Sequence, residues 1–215
     1  MMQGINIHAA MEALRQKRPI FHAEKDFQFA LAVELQRAYP DAKIRLERPF
    51  PMERKVHIDI LIQWNGLWFP IELKYEKKKL KVTVDGELYD LPGGAHDIDM
   101  HDCVKDICRL ERLVQTRDSF GAGYALWLSN DTDYWDASYQ PTYYKAFHAP
   151  HGATLTGELA YERLPKANLK GYDVPLRLHG RYLITWNEYS RLEGRNGTFK
   201  YALIEVPTLT TLCPT

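Results

Sequence analysis

Between residues 42 and 75 the sequence changes from a helical to a two-residue period and doubles back at an Asn-Gly pair, and this constrains the fold more than any other feature. Ala42–Pro49 alternates Ile44 and Leu46 with charge; Val56, Ile58, Ile60 and Ile62 then share one face of a second strand, with His57, Asp59, Leu61 and Gln63 on the other. Asn65-Gly66 suits a two-residue hairpin turn whose central residues both take positive φ. Beyond it Phe69, Ile71, Leu73 and Tyr75 alternate with Pro70, Glu72 and Lys74. Three consecutive strands, antiparallel to one another, are therefore expected.

A helix precedes them. Phe27, Ala30, Leu31, Leu35 and Ala38 recur at helical spacing over residues 22–39, stopped by Pro40, with a shorter helix expected at 7–16. Residues 77–95 read as a Gly-containing loop with a short strand at 80–84. Over residues 98–117 Val104, Ile107, Leu110 and Val114 form an apolar stripe, acidic early and basic late as the helix dipole favours, and Asp102, Asp106 and Arg109 lie on another face. A buried strand at 123–129 and two further strands at 181–186 and 199–206 complete the pattern. The class is α/β: a mixed sheet flanked by helices, with an additional C-terminal β-containing segment. At 215 residues the chain is read as one domain, with a core over about 20–130 and an elaboration over about 131–215.

Composition excludes several classes. No run reaches the ~18–20 apolar residues of a membrane span and the N-terminus lacks an apolar signal core, so a cytoplasmic protein is expected. Cys103, Cys108 and Cys213 have no CxxC spacing, arguing for reduced thiols, and His148 and His151 sit in a Pro/Gly loop rather than a zinc motif. The net charge is zero, against a uniformly basic nucleic-acid coat, yet unevenly distributed. Residues 43–81 carry ten Lys/Arg against five Asp/Glu, and residues 85–136 four against twelve. A basic zone beside an acidic one fits a polyanionic substrate with a cation, or a solvated surface.

The chemistry concentrates on two strands. Asp59 interrupts an aliphatic strand, and across the hairpin Glu72 and Lys74, two apart, emerge on one face. Mg²⁺ takes a few carboxylate oxygens and keeps several waters. Asp59 and Glu72 suit it, with the Leu73 carbonyl as a third oxygen. Lys74 would orient a water and neutralise charge developing on phosphorus. Glu24 on the preceding helix is placed to approach as an outer ligand. A lone Glu-x-Lys is ordinarily a solvated ion pair. Here it is joined by an acid thirteen residues upstream on an adjoining strand and by a Glu-bearing helix.

Glu24, Ile58-Asp59 and Glu72-Leu73-Lys74, in helix-strand-strand-strand-helix-strand order over residues 20–130, resemble the PD-(D/E)xK nuclease superfamily, the restriction-endonuclease-like fold. Ile58 stands where that family's proline would be. The stretches AHDIDMHDCVKDICRLERL and ALWLSNDTDYW also look like uncharacterised bacterial proteins grouped with the superfamily. The resemblance implies Mg²⁺-dependent hydrolysis of a phosphodiester, Mn²⁺ being able to substitute, with DNA as the partner and a 5′-phosphate product. It implies Asp59 and Glu72 as metal ligands, Lys74 as the catalytic lysine and Glu24 as the auxiliary acid. Lys77, Lys78, Lys79 and Lys81 would then track phosphates. Asp102, Asp106 and Arg109 are expected either to support the active-site face or to form a surface ion-pair ladder. Trp127, Tyr134, Trp135, Tyr143, Tyr144, Tyr182 and Trp186 supply either a base-stacking platform or core. A catalytically idle nucleic-acid-binding or interaction module with the same fold is the competing reading, and a homodimer or partner subunit is left open.

Overall fold

A computed structural model describes residues 4–50, 56–94, 96–116, 119–164 and 171–208. Cys213 and the basic residues Arg54, Lys55 and Arg117 lie outside these ranges. Among the described residues three α-helices flank a central mixed sheet: α1 (Ile7–Arg15), α2 (Glu24–Ala38) and α3 (His96–Val114). The sheet contains β1 (Lys43–Pro49), β2 (His57–Trp64), β3 (Leu67–Glu76), β6 (Gly123–Ser129), β9 (Trp186–Arg191) and β10 (Thr198–Val206), in the order β1-β2-β3-β6-β10-β9. All neighbours are antiparallel except β3 and β6. Two ribbons stand apart: β4 (Leu80–Val84) with β5 (Glu87–Leu91), and β7 (Thr154–Leu159) with β8 (Leu176–Leu183). No described helix is long and apolar enough to cross a membrane.

The Asn65-Gly66 turn has φ of 49° and 79°, as its residues require, and sets the β2–β3 register from Trp64↔Leu67 to Ile60↔Ile71. β3 then alternates: Phe69, Ile71, Leu73 and Tyr75 enter the core beneath α1 and α2, while Trp68, Glu72, Lys74 and Glu76 face α3. β6 is buried throughout, as a strand covered on both faces must be. α3 packs on β3, β6, β10 and β8, with Val104, Ile107, Leu110 and Val114 against Ala125, Trp127, Ala202 and Ile204.

Several expectations change. Residues 77–95 contain the expected strand β4 but also β5, because Asp85-Gly86 makes a second positive-φ hairpin turn, at 51° and 83°. The run 181–186 is not one strand; it breaks at Ile184–Thr185, leaving its first half in β8 and Trp186 in β9. β8 pairs with β7 and β9 with β10, so the break lets the chain move from the ribbon to the main sheet. Of the aromatic residues, Trp127, Tyr134, Trp135, Tyr144, Tyr182 and Trp186 are buried and Tyr143 half-buried, which makes them the core beneath α3 and not a stacking platform. β8 is anchored by Glu111 of α3, whose buried carboxylate accepts the Nα–H of His179 and Gly180 and the hydroxyl of Tyr182 at 2.7–3.0 Å. His148 and His151 serve the loops: His148 Nε2 meets the Asp133 carbonyl, and His151 Nδ1 accepts the Trp186 N–H.

Candidate active site

The β2–β3 ladder stops at Ile60↔Ile71, while β1 and β2 stay paired as far as Pro49↔His57. The sheet therefore splits, and Asp59 stands on the departing strand at the mouth of the split. This also overturns the simple alternation of β2. Ile60 and Ile62 enter the core under α2, whereas Val56 and Ile58 join Phe50, Leu61 and Leu113 on the α3 side.

Beyond the split, the Leu73 and Tyr75 N–H groups face the edge that β2 has left. Two of the expected acids take them. Asp59 Oδ2 accepts from Leu73 at 2.8 Å and Glu24 Oε2 from Tyr75 at 2.9 Å. Glu24 is placed by the start of α2, which Asp26 anchors by accepting the His22 N–H at 3.0 Å and two bonds from Arg18. One turn on, the buried Gln28 donates to the Asp59 carbonyl at 2.6 Å and to Glu47 at 2.7 Å, pinning β2 where it diverges. The structure thus brings Glu24, Asp59, Glu72 and Lys74 into one interacting cluster.

On the α3 side, Lys74 Nζ lies 2.9 Å from Asp106 Oδ2, and Arg109 donates to Asp106 Oδ1 at 2.7 Å. Asp106 and Arg109 therefore support the site, as one of the two sequence readings held. Asp102 does not: it accepts the Tyr172 hydroxyl at 3.0 Å and pairs with His101 Nδ1 at 3.1 Å. Glu72 is 3% exposed, and its Oε1 has no hydrogen-bond partner. Burial, with Asp106 and Asp59 close by, pushes the Glu72 carboxyl well above its ordinary range. Burial also raises Asp59 to about 6, with Glu24 and Asp106 adding to it and the Leu73 N–H opposing. Burial disfavours the Lys74 ammonium, but Asp106 and Glu24 outweigh it and hold Lys74 charged, above the normal lysine range.

Three contributors escaped sequence reasoning. Glu76, on the same face of β3 as Glu72 and Lys74, is raised to about 8 by burial and by Asp99, with which it shares a hydrogen bond. The i, i+2, i+4 spacing of Glu72, Lys74 and Glu76 was the available signal for it, and the i, i+4 spacing from Glu24 the signal for Gln28. Asp99 had no local signal, because its partner comes from β3.

The lysines after the motif diverge. Lys77 Nζ lies over the Tyr75 ring at 5.0 Å. Lys78 turns inward, its N–H on Asn130 and its ammonium 2.9 and 3.1 Å from Asp131 and Asp133. Lys79 and Lys81 are exposed, Lys81 3.8 Å from Asp90. The four do not form one phosphate-tracking surface, because the end of β3 at Glu76 and the turn into β4 point them in different directions.

His96, Asp131 and Asp133 bring ligand atoms within 4.8 Å of one another, a grouping able to hold a metal. A cation is already there, since Lys78 bridges both carboxylates and His96 Nε2 bonds Asp131. Burial opposes ionisation of Asp131, but His96 and Lys78 hold it down to about 2, and Asp131 in turn raises His96. The buried carboxyls whose ionisation is opposed are Glu72 and Asp59 instead, although the Lys25 ammonium lies 3.9 Å from Asp59 Oδ1. No family model, curated protein or solved structure matches the chain.

Proposed function

We propose that the protein is a Mg²⁺-dependent nuclease of the PD-(D/E)xK type, with a restriction-endonuclease-like sheet, hydrolysing phosphodiester bonds of DNA. The observation that carries this reading is Glu72: a buried carboxyl with an unpartnered oxygen, crowded by Asp59 and Asp106. Such a group is costly without a cation and ready-made with one. Asp59 and Glu72 would hold the metal, with the Leu73 carbonyl as a further oxygen, and Mn²⁺ would substitute. When bound, the ion supplies a water of lowered pKa and charge stabilisation at phosphorus.

The remaining work falls to the chain. Lys74, fixed by Asp106 at 2.9 Å, presents a permanent positive charge beside the carboxylates, where it orients the attacking water and offsets negative charge on the phosphate. Arg109 shares Asp106 and so keeps that carboxylate neutralised when Lys74 moves toward substrate. Glu24 and Gln28 hold the split open, through the Tyr75 N–H and the Asp59 carbonyl.

The test is cleavage of plasmid, linear duplex, single-stranded DNA and RNA with Mg²⁺ or Mn²⁺, for wild type, Lys74→Ala and Asp59→Ala. Metal-dependent cutting of DNA lost in both variants supports the reading. Cutting that survives both substitutions refutes it, and binding without cutting replaces it with an idle nucleic-acid-binding module.

A further inference from the structure

The face of the sheet that carries Glu72 and Lys74 continues past α3, and there it is open. α3 packs on β3, β6, β8 and β10 and reaches β2 through Leu113, and among the described residues a pocket of about 600 Å³ lies beside that contact. Its floor is Ile58, Leu61 and Leu113 and its wall Trp68 and Phe120, with Arg48 at the rim. This volume falls in the range of about 300–1,000 Å³ typical of small-ligand sites.

Three observations say what fits there. The first is rigidity: the Trp68 N–H donates to the Ser119 carbonyl at 2.9 Å and the Gly121 N–H to the Trp68 carbonyl at 2.8 Å, so the two aromatic residues are locked side by side. The second is charge: the Arg45 guanidinium lies over the Trp68 ring at 5.0 Å, and the exposed Lys43 and Arg48 are on the same edge strand. Aromatic rings flanked by arginines suit a flat π-system attached to a phosphate. The third is continuity. Ile58 adjoins Asp59, Leu113 is one helical turn from Arg109, and Trp68 precedes Glu72 by four residues on the same face of β3, roughly 13 Å at strand rise.

We propose that this pocket receives an unstacked nucleobase of a single strand whose phosphates pass over Arg45 and Arg48 toward Glu72 and Lys74. The inference rests on the nuclease reading for its direction, and it narrows that reading to single-stranded or frayed substrates. A paired base cannot enter, because its edge and both faces are committed within the duplex.

The test is binding by fluorescence anisotropy in EDTA, where nothing is cut. The probes are a labelled single-stranded DNA oligonucleotide, its RNA counterpart, the blunt duplex, and DNA strands with one abasic position moved stepwise. Trp68→Ala should weaken single-strand binding about 5- to 150-fold, the range for one lost stacking contact, with little change for duplex. Thr116→Trp, an exposed rim substitution that fills the pocket and gives up the Thr116 hydroxyl's bond to the Leu113 carbonyl, should do the same while lowering the melting temperature by no more than about 4 °C, which separates occupancy from misfolding. One abasic position should reproduce the loss in wild type and have no effect in Trp68→Ala. Equal binding by both variants, or equal losses on duplex and single strand, overturns the pocket. Should wild type cut nothing while the abasic pattern holds, the nuclease reading fails and the pocket stands; should it cut while both variants bind normally, the reverse follows.

Discussion

Asp59→Asn should stabilise the metal-free protein at neutral pH. The folded state raises the Asp59 carboxyl from 3.8 to about 6, a shift of about 2 units. At 1.36 kcal/mol per unit this is roughly 3 kcal/mol of unfavourable ionisation once both folded and unfolded states are charged. The side chain is 15% exposed, so solvent screens little of it. Asparagine keeps an oxygen to accept the Leu73 N–H and removes the charge, so about 2–3 kcal/mol should be recovered at pH 7. For an acid raised in the folded state, the stability contribution is complete below the unfolded value and is lost as pH rises through the folded one. The difference between variant and wild type should therefore be near zero at pH 3.8 and grow until about pH 6. Urea unfolding followed by circular dichroism in EDTA, from pH 4 to 8, measures this directly. Excess Mg²⁺ should then stabilise wild type by about 2.7 kcal/mol at a hundred times its Kd and leave the variant unmoved. A difference independent of pH, or a variant less stable than wild type at pH 7, would show that Asp59 is not a strained carboxylate and would remove the electrostatic case for a cation.

Lys74→Met should abolish cleavage and destabilise by less than the roughly 3–5 kcal/mol of an orphaned buried charge, because Arg109 remains on Asp106; kinetics and denaturant melts on the same samples read both effects. Glu111→Ala strands the donors of His179, Gly180 and Tyr182, so a loss of at least about 2 kcal/mol and faster amide exchange across β8 are expected, with unchanged exchange in β8 the contrary result. The His96–Asp131 pair raises the histidine above 6.5, so its stabilisation is complete below that value and fades as pH rises through the folded one, visible as a raised titration midpoint of the His96 ring by NMR. Wild type should bind no divalent ion at this cluster, whereas Lys78→Ala, lacking the resident ammonium, should gain a site detectable by calorimetry in an Asp59→Asn background.

Local pattern determined a good deal. Asn65-Gly66 dictates its own turn, because few residue pairs take two consecutive positive φ angles cheaply, and the period-two runs on either side then place Asp59 near Glu72 without any further information. The same logic would have found β5, since Asp85-Gly86 carries the same signal. Glu24, Glu72 and Lys74 were legible because strand and helix periods say which side chains share a face. Tertiary structure alone decided the rest. The parting of β2 from β3 at Ile60 turns Asp59 from a ladder residue into an acceptor for the Leu73 N–H, and no local propensity specifies where two strands separate. Partner choice for charges was equally hidden. Asp106 rather than Asp102 meets Lys74, and Lys78 turns into an acidic cluster while Lys79 faces water, because an ion pair depends on distances between segments far apart in sequence. Burial is a property of the assembled core, and with it came the raised Asp59 and Glu72 carboxyls, which turn a degenerate three-residue motif into a chemical argument.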